Sequence, residues 1–229
     1  MKELVSFVTM ELEKLADKDK ASAMAAYMKT EMPFFGVQAK DRRAIARSAK
    51  KAFSITTHKK YLQAIKILWK QAHREQKYIA IDLARAYKSF VTIDSLDLYE
   101  KMVREGAWWD FVDDLAHHLV GQVLLDNPEK MYPKMDTWLQ DDDFWIRRVA
   151  LLCQNTFKDK TDEKRLFSYC LSLAPESEFF IRKAIGWALR QYSYTAPKKV
   201  KTFLLKNKSK LSGLSFREGA KGLKRMGLM

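Results

Sequence analysis

The stretch FWIRR at residues 144–148 returns 35 residues later as FFIRK at residues 179–183. The pair Trp108-Trp109 precedes Phe144-Trp145 by 36 residues, and a weaker copy starts near Lys77-Tyr78. A period in this range is typical of solenoids built from two-helix units, each of which buries its apolar face against its neighbours. An ordinary helical domain with chance similarity between these stretches is the alternative interpretation.

The spacing of apolar residues outside these stretches also indicates helices. Apolar side chains recur at three- and four-residue steps, for example in residues 61–69, 78–87 and 96–103, and sustained period-two alternation is absent. The five prolines fall between or at the starts of the periodic segments: Pro33, Pro128, Pro133, Pro175 and Pro197. We therefore predict an all-α fold, and one domain over residues 1–229 because no linker divides the chain.

The charge balance predicts an electrostatic partner. Lys and Arg number 42 against 28 Asp and Glu, a net charge of +14, and self-repulsion of this size opposes compactness. Nucleic acid and an anionic membrane surface both qualify, and a merely solubilising surface is the alternative. From residue 198 onward, ten Lys or Arg accompany a single acid, Glu218, so this end is a predicted phosphate-contact region.

Several classes of protein and site are excluded by the sequence. Cys153 and Cys170 lie in apolar surroundings without CxxC spacing, which argues against a disulfide framework or a zinc site. The stretch MKELVSFVTMELEKLADKDK carries acidic residues within its apolar periodicity, unlike a signal peptide, and no apolar run is long enough for a membrane span. A cytoplasmic location without membrane association is therefore expected.

Motifs for common enzyme sites are absent as well. The chain has no Walker loop, GxGxxG, HExxH or GxSxG motif. Its four histidines lack metal-ligand spacing: His58, His73, His117 and His118. We expect neither a metal nor an organic cofactor, and interpret His117 and His118 as structural or surface residues.

The segment WWDFVDDL, residues 108–115, is the most unusual in the chain. Trp109 and Asp113 are four residues apart, so on a helix they share one face, with an indole beside a carboxylate. Trp108 and Val112 share the adjacent face and suit the core. By pattern alone, a packed indole and a solvated carboxylate remain the alternative. Trp145 with Arg148, and Trp187 with Arg190, likewise match core aromatics beside exposed cations.

Five stretches together closely resemble the DNA alkylation repair enzyme family, the AlkD-like alkylpurine DNA glycosylases. The most specific are WWD with Asp113, and FFIRKAIGWALR at residues 179–190. The others are AYMK at residues 26–29, FGVQ at residues 35–38 with Arg42-Arg43, and WIRR at residues 145–148. The similarity runs through nearly the whole chain.

The resemblance implies a right-handed solenoid of stacked HEAT-like repeats whose concave basic face binds duplex DNA. It implies a catalytic cluster of Asp113, Trp109 and Trp187, with Arg148 contacting the DNA backbone near the lesion. Further DNA-binding residues that it implies are Tyr27, Gln38, Arg42, Arg43 and Arg190. Gly219 and Gly222 depart from the pattern and are expected to weaken a final helix by about 1 kcal/mol each.

The resemblance implies a monofunctional glycosylase that hydrolyses the N-glycosidic bond of cationic N3- or N7-alkylated purines in double-stranded DNA, and the residue types of the cluster suit that chemistry. We expect the enzyme to be a monomer and to associate with the nucleoid through DNA. Two alternatives stay open. One is a non-catalytic HEAT-repeat protein that recognises damaged or branched DNA, and the other is a solenoid that binds acidic proteins.

Overall fold

The computed structural model describes residues 1–229, and every regular element in it is helical. The α-helices are α1 Lys2–Lys14, α2 Lys18–Met28, α3 Ala39–Ala52, α4 His58–Trp69, α5 Arg74–Ala86, α6 Leu96–Gly106, α7 Trp109–Leu115, α8 Gly121–Asp126, α9 Pro128–Trp138, α10 Phe144–Leu152, α11 Glu163–Ser172, α12 Phe179–Ser193, α13 Pro197–Lys206 and α14 Gly213–Arg225. A π-helical segment, Ala116–Val120, joins α7 to α8. Short 3-10 turns lie at Lys88–Phe90, Ile93–Ser95 and Lys158–Lys160. The predicted all-α fold is confirmed.

The helices repeat with the predicted period. Helices α3, α5, α7, α10 and α12 begin at residues 39, 74, 109, 144 and 179, at steps of 35, and α14 follows 34 residues later. Trp109 is therefore the counterpart of Phe144, and the spacing of 36 taken from the sequence is one residue too long. The reason is that Trp108 has an extended backbone (φ −151°, ψ 144°) and precedes the first helical residue.

Side chains at the helix starts explain why the repeats begin where they do. The Asp143 carboxylate accepts a hydrogen bond from the backbone N–H of Trp145 at 2.9 Å, and Glu178 accepts one from Phe180 at 3.1 Å. Ser212 caps α14 in the same way. Pro128 and Pro197 occupy the first position of α9 and α13, where a missing N–H costs nothing.

Pro133 does not mark a boundary as expected, because it lies inside α9. Its ring removes the hydrogen bond that an N–H at this position would donate to the carbonyl of Glu129. Both residues are exposed, so water solvates the free carbonyl and the helix continues to Trp138.

The chain divides into two compact units, residues 1–98 and residues 99–229. In the first unit, α1 packs on α3, and α3 and α4 pack on α5. In the second, α10 packs on α7 and α12, and α14 packs closely on α12. The single domain expected from the sequence stays a prediction.

Helix α14 is fully formed, although it contains Gly219 and Gly222. A Cβ at Gly222 would collide with the Ser193 hydroxyl, and one at Gly219 would lie 3.2 Å from a Leu204 methyl group. On the facing helix, a Cβ at Gly186 would lie 2.8 Å from the Ser215 carbonyl oxygen. These glycines allow α12 and α14 to approach closely, and the packing gained offsets the weak helix propensity.

Three further features bear on the excluded classes. No helix combines the length and apolarity needed to cross a membrane. No three His, Cys, Asp or Glu side chains are grouped so that they could hold a metal ion. Cys153 and Cys170 are free and buried, and burial raises the pKa of the Cys153 thiol to about 12.

Candidate active site

Helix α7, the π-helical segment and α8 form one continuous helical run over residues 109–126. Trp109, Asp113 and His117 follow along this run at a spacing of four and so share one side of it. A π-helical segment inside an α-helical run is uncommon and is often found at functional sites. Here it contains His117.

The Asp113 carboxylate is held by Arg148 of α10 in a two-point ion pair. Arg148 Nε lies 2.7 Å from Asp113 Oδ1, and Nη2 lies 2.9 Å from Oδ2. The remaining guanidinium nitrogen, Nη1, donates to the backbone carbonyl of Phe180 in α12. The Asp113 side chain is 12% exposed and that of Arg148 only 4%. The carboxylate is thus fixed in orientation and retains a small opening to solvent.

Burial raises the pKa of Asp113 above the ordinary aspartate value. The hydrogen bonds and charge of Arg148 oppose this rise, whereas the neighbouring carboxylates of Asp110 and Asp114 add to it. The Arg148 guanidinium thus keeps the rise in the pKa of Asp113 smaller than burial alone would give.

An aromatic cluster lies at the starts of α7, α10 and α12. Trp108 meets Phe180 edge-on with ring centroids 5.4 Å apart, and Trp145 lies 4.9 Å from the same ring. Phe144 contacts Trp145 at 4.6 Å. Trp108 thus packs in the protein as the sequence indicates. The cluster surrounds Phe180, whose carbonyl binds Arg148, and so supports the ion pair.

Trp187 of α12 contacts the π-helical segment. Its ring meets that of His117 edge-on with centroids 4.8 Å apart. Asn155 Nδ2 lies 3.3 Å from His117 Nε2, and the Thr156 hydroxyl donates to the His117 carbonyl at 3.4 Å. Trp109 and Trp187 are both partly exposed. The sequence did not identify His117 as part of this site, because only the fold brings it to Trp187.

Three of the predicted DNA-binding residues lie together in the first unit. Tyr27, Gln38 and Arg42 line one surface depression of about 370 Å³. Tyr27 is 73% exposed, whereas the Arg42 guanidinium lies 4.3 Å above the Tyr78 ring and pairs with Asp82 at 3.2 Å. Arg43 is exposed on α3 and is not among the residues that line this depression.

The loop that leads to Gln38 is held by a buried carboxylate. Glu75 accepts hydrogen bonds from the backbone N–H groups of Phe35, Gly36 and Val37 at 3.1, 2.9 and 3.1 Å. Gly36 has a φ of +87° and a Cβ there would meet the Asp17 carbonyl, so only glycine suits this turn. No local sequence signal pointed to Glu75.

Arg190 is engaged within the second unit. It lies 3.2 Å from Glu218, which also binds Lys183 at 2.9 Å and Lys221 at 2.5 Å. Glu218, the only acid among the C-terminal cations, therefore joins α12 to α14. Its buried carboxylate retains a lowered pKa, because hydrogen bonds from Lys221 and Lys183 outweigh the effect of burial.

A sequence profile of the family described as DNA alkylation repair enzyme matches residues 8–223. The chain belongs to this family. The match covers all the helices that carry the candidate site, which confirms the resemblance seen in the sequence. A search among curated proteins found no match.

Solved structures agree with this family membership. A predicted DNA alkylation repair enzyme from Enterococcus faecalis is 33% identical, with a TM-score of 0.83 over 91% of this chain and 96% of that chain. AlkD2 from Streptococcus mutans is 18% identical, with a TM-score of 0.61 over 81% of this chain and 90% of its own. The protein smu.31 from Streptococcus mutans UA159 is 19% identical, with a TM-score of 0.59 over 80% of this chain and 91% of its own. The two streptococcal proteins share the fold of this family member.

Proposed function

We propose that this member of the family is a monofunctional DNA glycosylase for cationic N3- and N7-alkylated purines, such as 3-methyladenine and 7-methylguanine, in duplex DNA. The observation that carries the proposal is the buried Asp113 carboxylate, which lies on the helical run that begins with Trp109. Arg148 of α10 holds this carboxylate at two points. A fixed anion beside an indole is suited to stabilising a cation that develops during a reaction.

The reaction needs such an anion at the sugar. An alkylated purine with a positive charge leaves as a neutral base, so acid catalysis at the base is of little importance. As the glycosidic bond breaks, the deoxyribose acquires oxocarbenium character, and a nearby carboxylate stabilises it electrostatically. A carboxylate has roughly four lone-pair positions. Arg148 occupies two of them, which leaves others to orient the water that adds to C1′.

Arg148 acts first as a positioning residue in this proposal. Three of its five N–H groups are directed to Asp113 and to the Phe180 carbonyl. The predicted contact between Arg148 and the DNA backbone would use the remaining two. That contact stays a prediction, and it requires the almost fully buried side chain to become accessible to DNA.

Trp109 and Trp187 are proposed to flank the sugar of the damaged nucleotide. The face of an indole attracts positive charge by about 0.5–2 kcal/mol per contact. Selectivity would then come from the lability of cationic adducts, and no pocket that encloses the base would be needed. Neutral lesions are expected to be poor substrates.

We propose that Lys and Arg side chains bind the phosphates of DNA and that no side chain recognises the base sequence. Tyr27, Gln38, Arg42 and Arg43 would form one contact region, and the net charge of +14 would favour any duplex. Arg190 would contribute only if it can leave Glu218. A monomer acting as a single domain suffices for this chemistry, and a cytoplasmic enzyme bound to the nucleoid agrees with it.

Single-turnover release of 7-methylguanine from a methylated duplex tests the proposal. We expect fast release by the wild type and almost none by Asp113→Asn, with duplex affinity little changed. Asp114→Asn is the matched control, since it removes the adjacent carboxylate on the same helix and should retain release.

Each result has a definite meaning. If the wild type binds the duplex and releases no base, the chain is a non-catalytic DNA-binding repeat protein. If Asp113→Asn releases base as fast as Asp114→Asn does, another group performs the chemistry and the assignment of Asp113 fails.

A further inference from the structure

The second unit has a surface groove whose lining includes none of the residues proposed for catalysis. It is an open groove of about 640 Å³ between α11 and α13, continued by the turn after α13. Asp113, Arg148 and Trp187 lie on α7, α10 and α12 instead. The groove and the candidate active site therefore share no residue and no helix.

One side of the groove is a row of cations. The row follows the sequence at steps of four, with Lys198 and Lys206 on α13, Thr202 between them, and Lys210 in the turn after the helix. The span from Lys198 to Lys206 along the helix is about 12 Å. Lys198, Lys206 and Lys210 form no ion pair, while Lys199 binds Glu163 at 3.1 Å. Residues 198–210 contain six lysines and no acid, and of the four lysines that line the groove only Lys199 is neutralised by an ion pair.

The other side of the groove is apolar. Phe167 and Leu171 lie one turn apart on α11 and are both partly exposed. The Phe167 ring stacks on Phe203 of α13 with centroids 4.3 Å apart and planes inclined by 14°. Phe203 itself is 7% exposed. Phe167, Leu171 and Phe203 thus form the apolar part of the groove lining.

We propose that this groove binds an acidic peptide segment of a partner protein that also carries apolar side chains. Carboxylates on one side of such a segment would face the unpaired lysines, and its apolar side chains would cover Phe167 and Leu171. Both sides of the groove are then used, and the lysine row provides the charge complementarity that selects the partner.

A nucleic acid fits the same groove less well. Contacts to phosphates would use the lysines but leave the apolar strip without a partner. Binding of single strands by stacking requires open aromatic faces, and one face of Phe167 is already covered by Phe203. The sequence predicted phosphate contacts for these lysines, and a direct competition separates the two ligands.

Fluorescence anisotropy of the full chain with a labelled peptide tests the proposal. The probe is a ten-residue peptide with six acidic residues and two phenylalanines, and the comparison peptide has serine in place of both phenylalanines. We expect Lys206→Glu/Lys210→Glu to weaken binding of the probe at least about tenfold, and Leu171→Ser to weaken it several-fold. The control Lys70→Glu/Lys130→Glu makes the same charge change at exposed residues away from α11 and α13 and should bind like the wild type.

Three results would overturn the proposal. The first is equal binding of the two peptides, which would indicate charge attraction alone. The second is equal weakening by the control variant. The third is displacement of the probe by a ten-nucleotide single strand or by a short duplex, if binding of that nucleic acid shows the same dependence on Lys206, Lys210 and Leu171. The groove would then be a nucleic-acid site. Base release plays no part in these measurements, so the proposal is independent of the glycosylase activity.

Discussion

Asp113 and Arg148 occupy the same position in consecutive repeats, and their side chains join the two repeats. Each is the fifth residue of its helix, α7 or α10, and the two are 35 residues apart. Lys183 is the fifth residue of α12 and pairs in turn with Glu218 of α14. The repeat period thus places charged side chains of adjacent helices opposite one another, and in one case the acid is the proposed catalytic group.

Removal of Arg148 should destabilise the protein strongly. In Arg148→Ala the buried Asp113 carboxylate loses its partner, and breaking a buried pair in this way costs about 3–5 kcal/mol in the free energy of unfolding. Asp113→Asn in the same chain should recover part of that loss, since no charge then remains. Urea denaturation of the single and double variants measures both effects. Arg217→Ala, at the exposed fifth position of α14, should change little. Equal stability of Arg148→Ala and wild type would contradict the importance of the pair.

Base release should decline on the acid side at a higher pH than an ordinary aspartate would give. Burial raises the pKa of Asp113, and only the ionised carboxylate can stabilise an oxocarbenium ion. A raised pKa in the folded state also means that this group favours folding at low pH and opposes it as pH rises through the folded pKa. Single-turnover rates from pH 4 to 8, corrected for spontaneous loss of base, give the profile. An acid limb that persists in Asp113→Asn would assign it to another group.

Much of the fold was predictable, because the signals that define it are local. Apolar residues at steps of three and four predicted the helices, and the recurrence of FWIRR as FFIRK predicted the repeat period. The π-helical segment Ala116–Val120 had no such signal, since the sequence around it continues an ordinary helical pattern. Asn155 and Thr156, which contact His117 within this segment, lie far away in the sequence.

The site was predictable as a set of residues but not as a set of contacts. Asp113 and Arg148 were both selected, but the sequence did not predict the ion pair between them, and the DNA contact assigned to Arg148 stays a prediction. Their separation by one full repeat was the available signal. Glu218 carried a comparable signal as the only acid among many cations, while Glu75 and His117 carried none.

Loss of the Glu75 carboxylate should loosen the loop at residues 35–37. In Glu75→Ala three backbone N–H groups lose their acceptor, and a buried unsatisfied group costs about 1–3 kcal/mol. We expect a drop of at least about 3 kcal/mol in unfolding free energy, and a smaller drop for Glu75→Gln, which keeps one acceptor oxygen. Glu13→Ala on the exposed side of α1 is the control. A loss no larger than in that control would show that the loop is held by other contacts.

A methyl group at Gly186 should destabilise the contact between α12 and α14. Its Cβ would collide with the Cβ of Glu218 and lie 2.8 Å from the Ser215 carbonyl oxygen. Overpacking of this kind costs about 1–3 kcal/mol, which exceeds the gain in helix propensity. In Gly213→Ala the nearest atom is the flexible Arg217 guanidinium at 3.1 Å, so that variant should be as stable as wild type or more stable. Thermal denaturation of the pair distinguishes them, and equal melting temperatures would mean that the helices can shift apart.

Removal of the His117 ring should slow base release without weakening DNA binding, provided that Trp187 flanks the sugar as proposed. His117 is the ring that the π-helical segment places against Trp187, and an edge-to-face pair of this kind is worth about 0.5–1.5 kcal/mol. If the stabilising contact between the two rings is lost only in the transition state, the single-turnover rate of His117→Ala should fall about two- to tenfold. His118→Ala, which alters the next residue, should leave the rate unchanged. Tryptophan emission gives a second measure, because the spectral change caused by His117→Ala should vanish in a Trp187→Phe background. If the emission changes while the rate does not, His117 positions Trp187 but Trp187 takes no part in bond breaking.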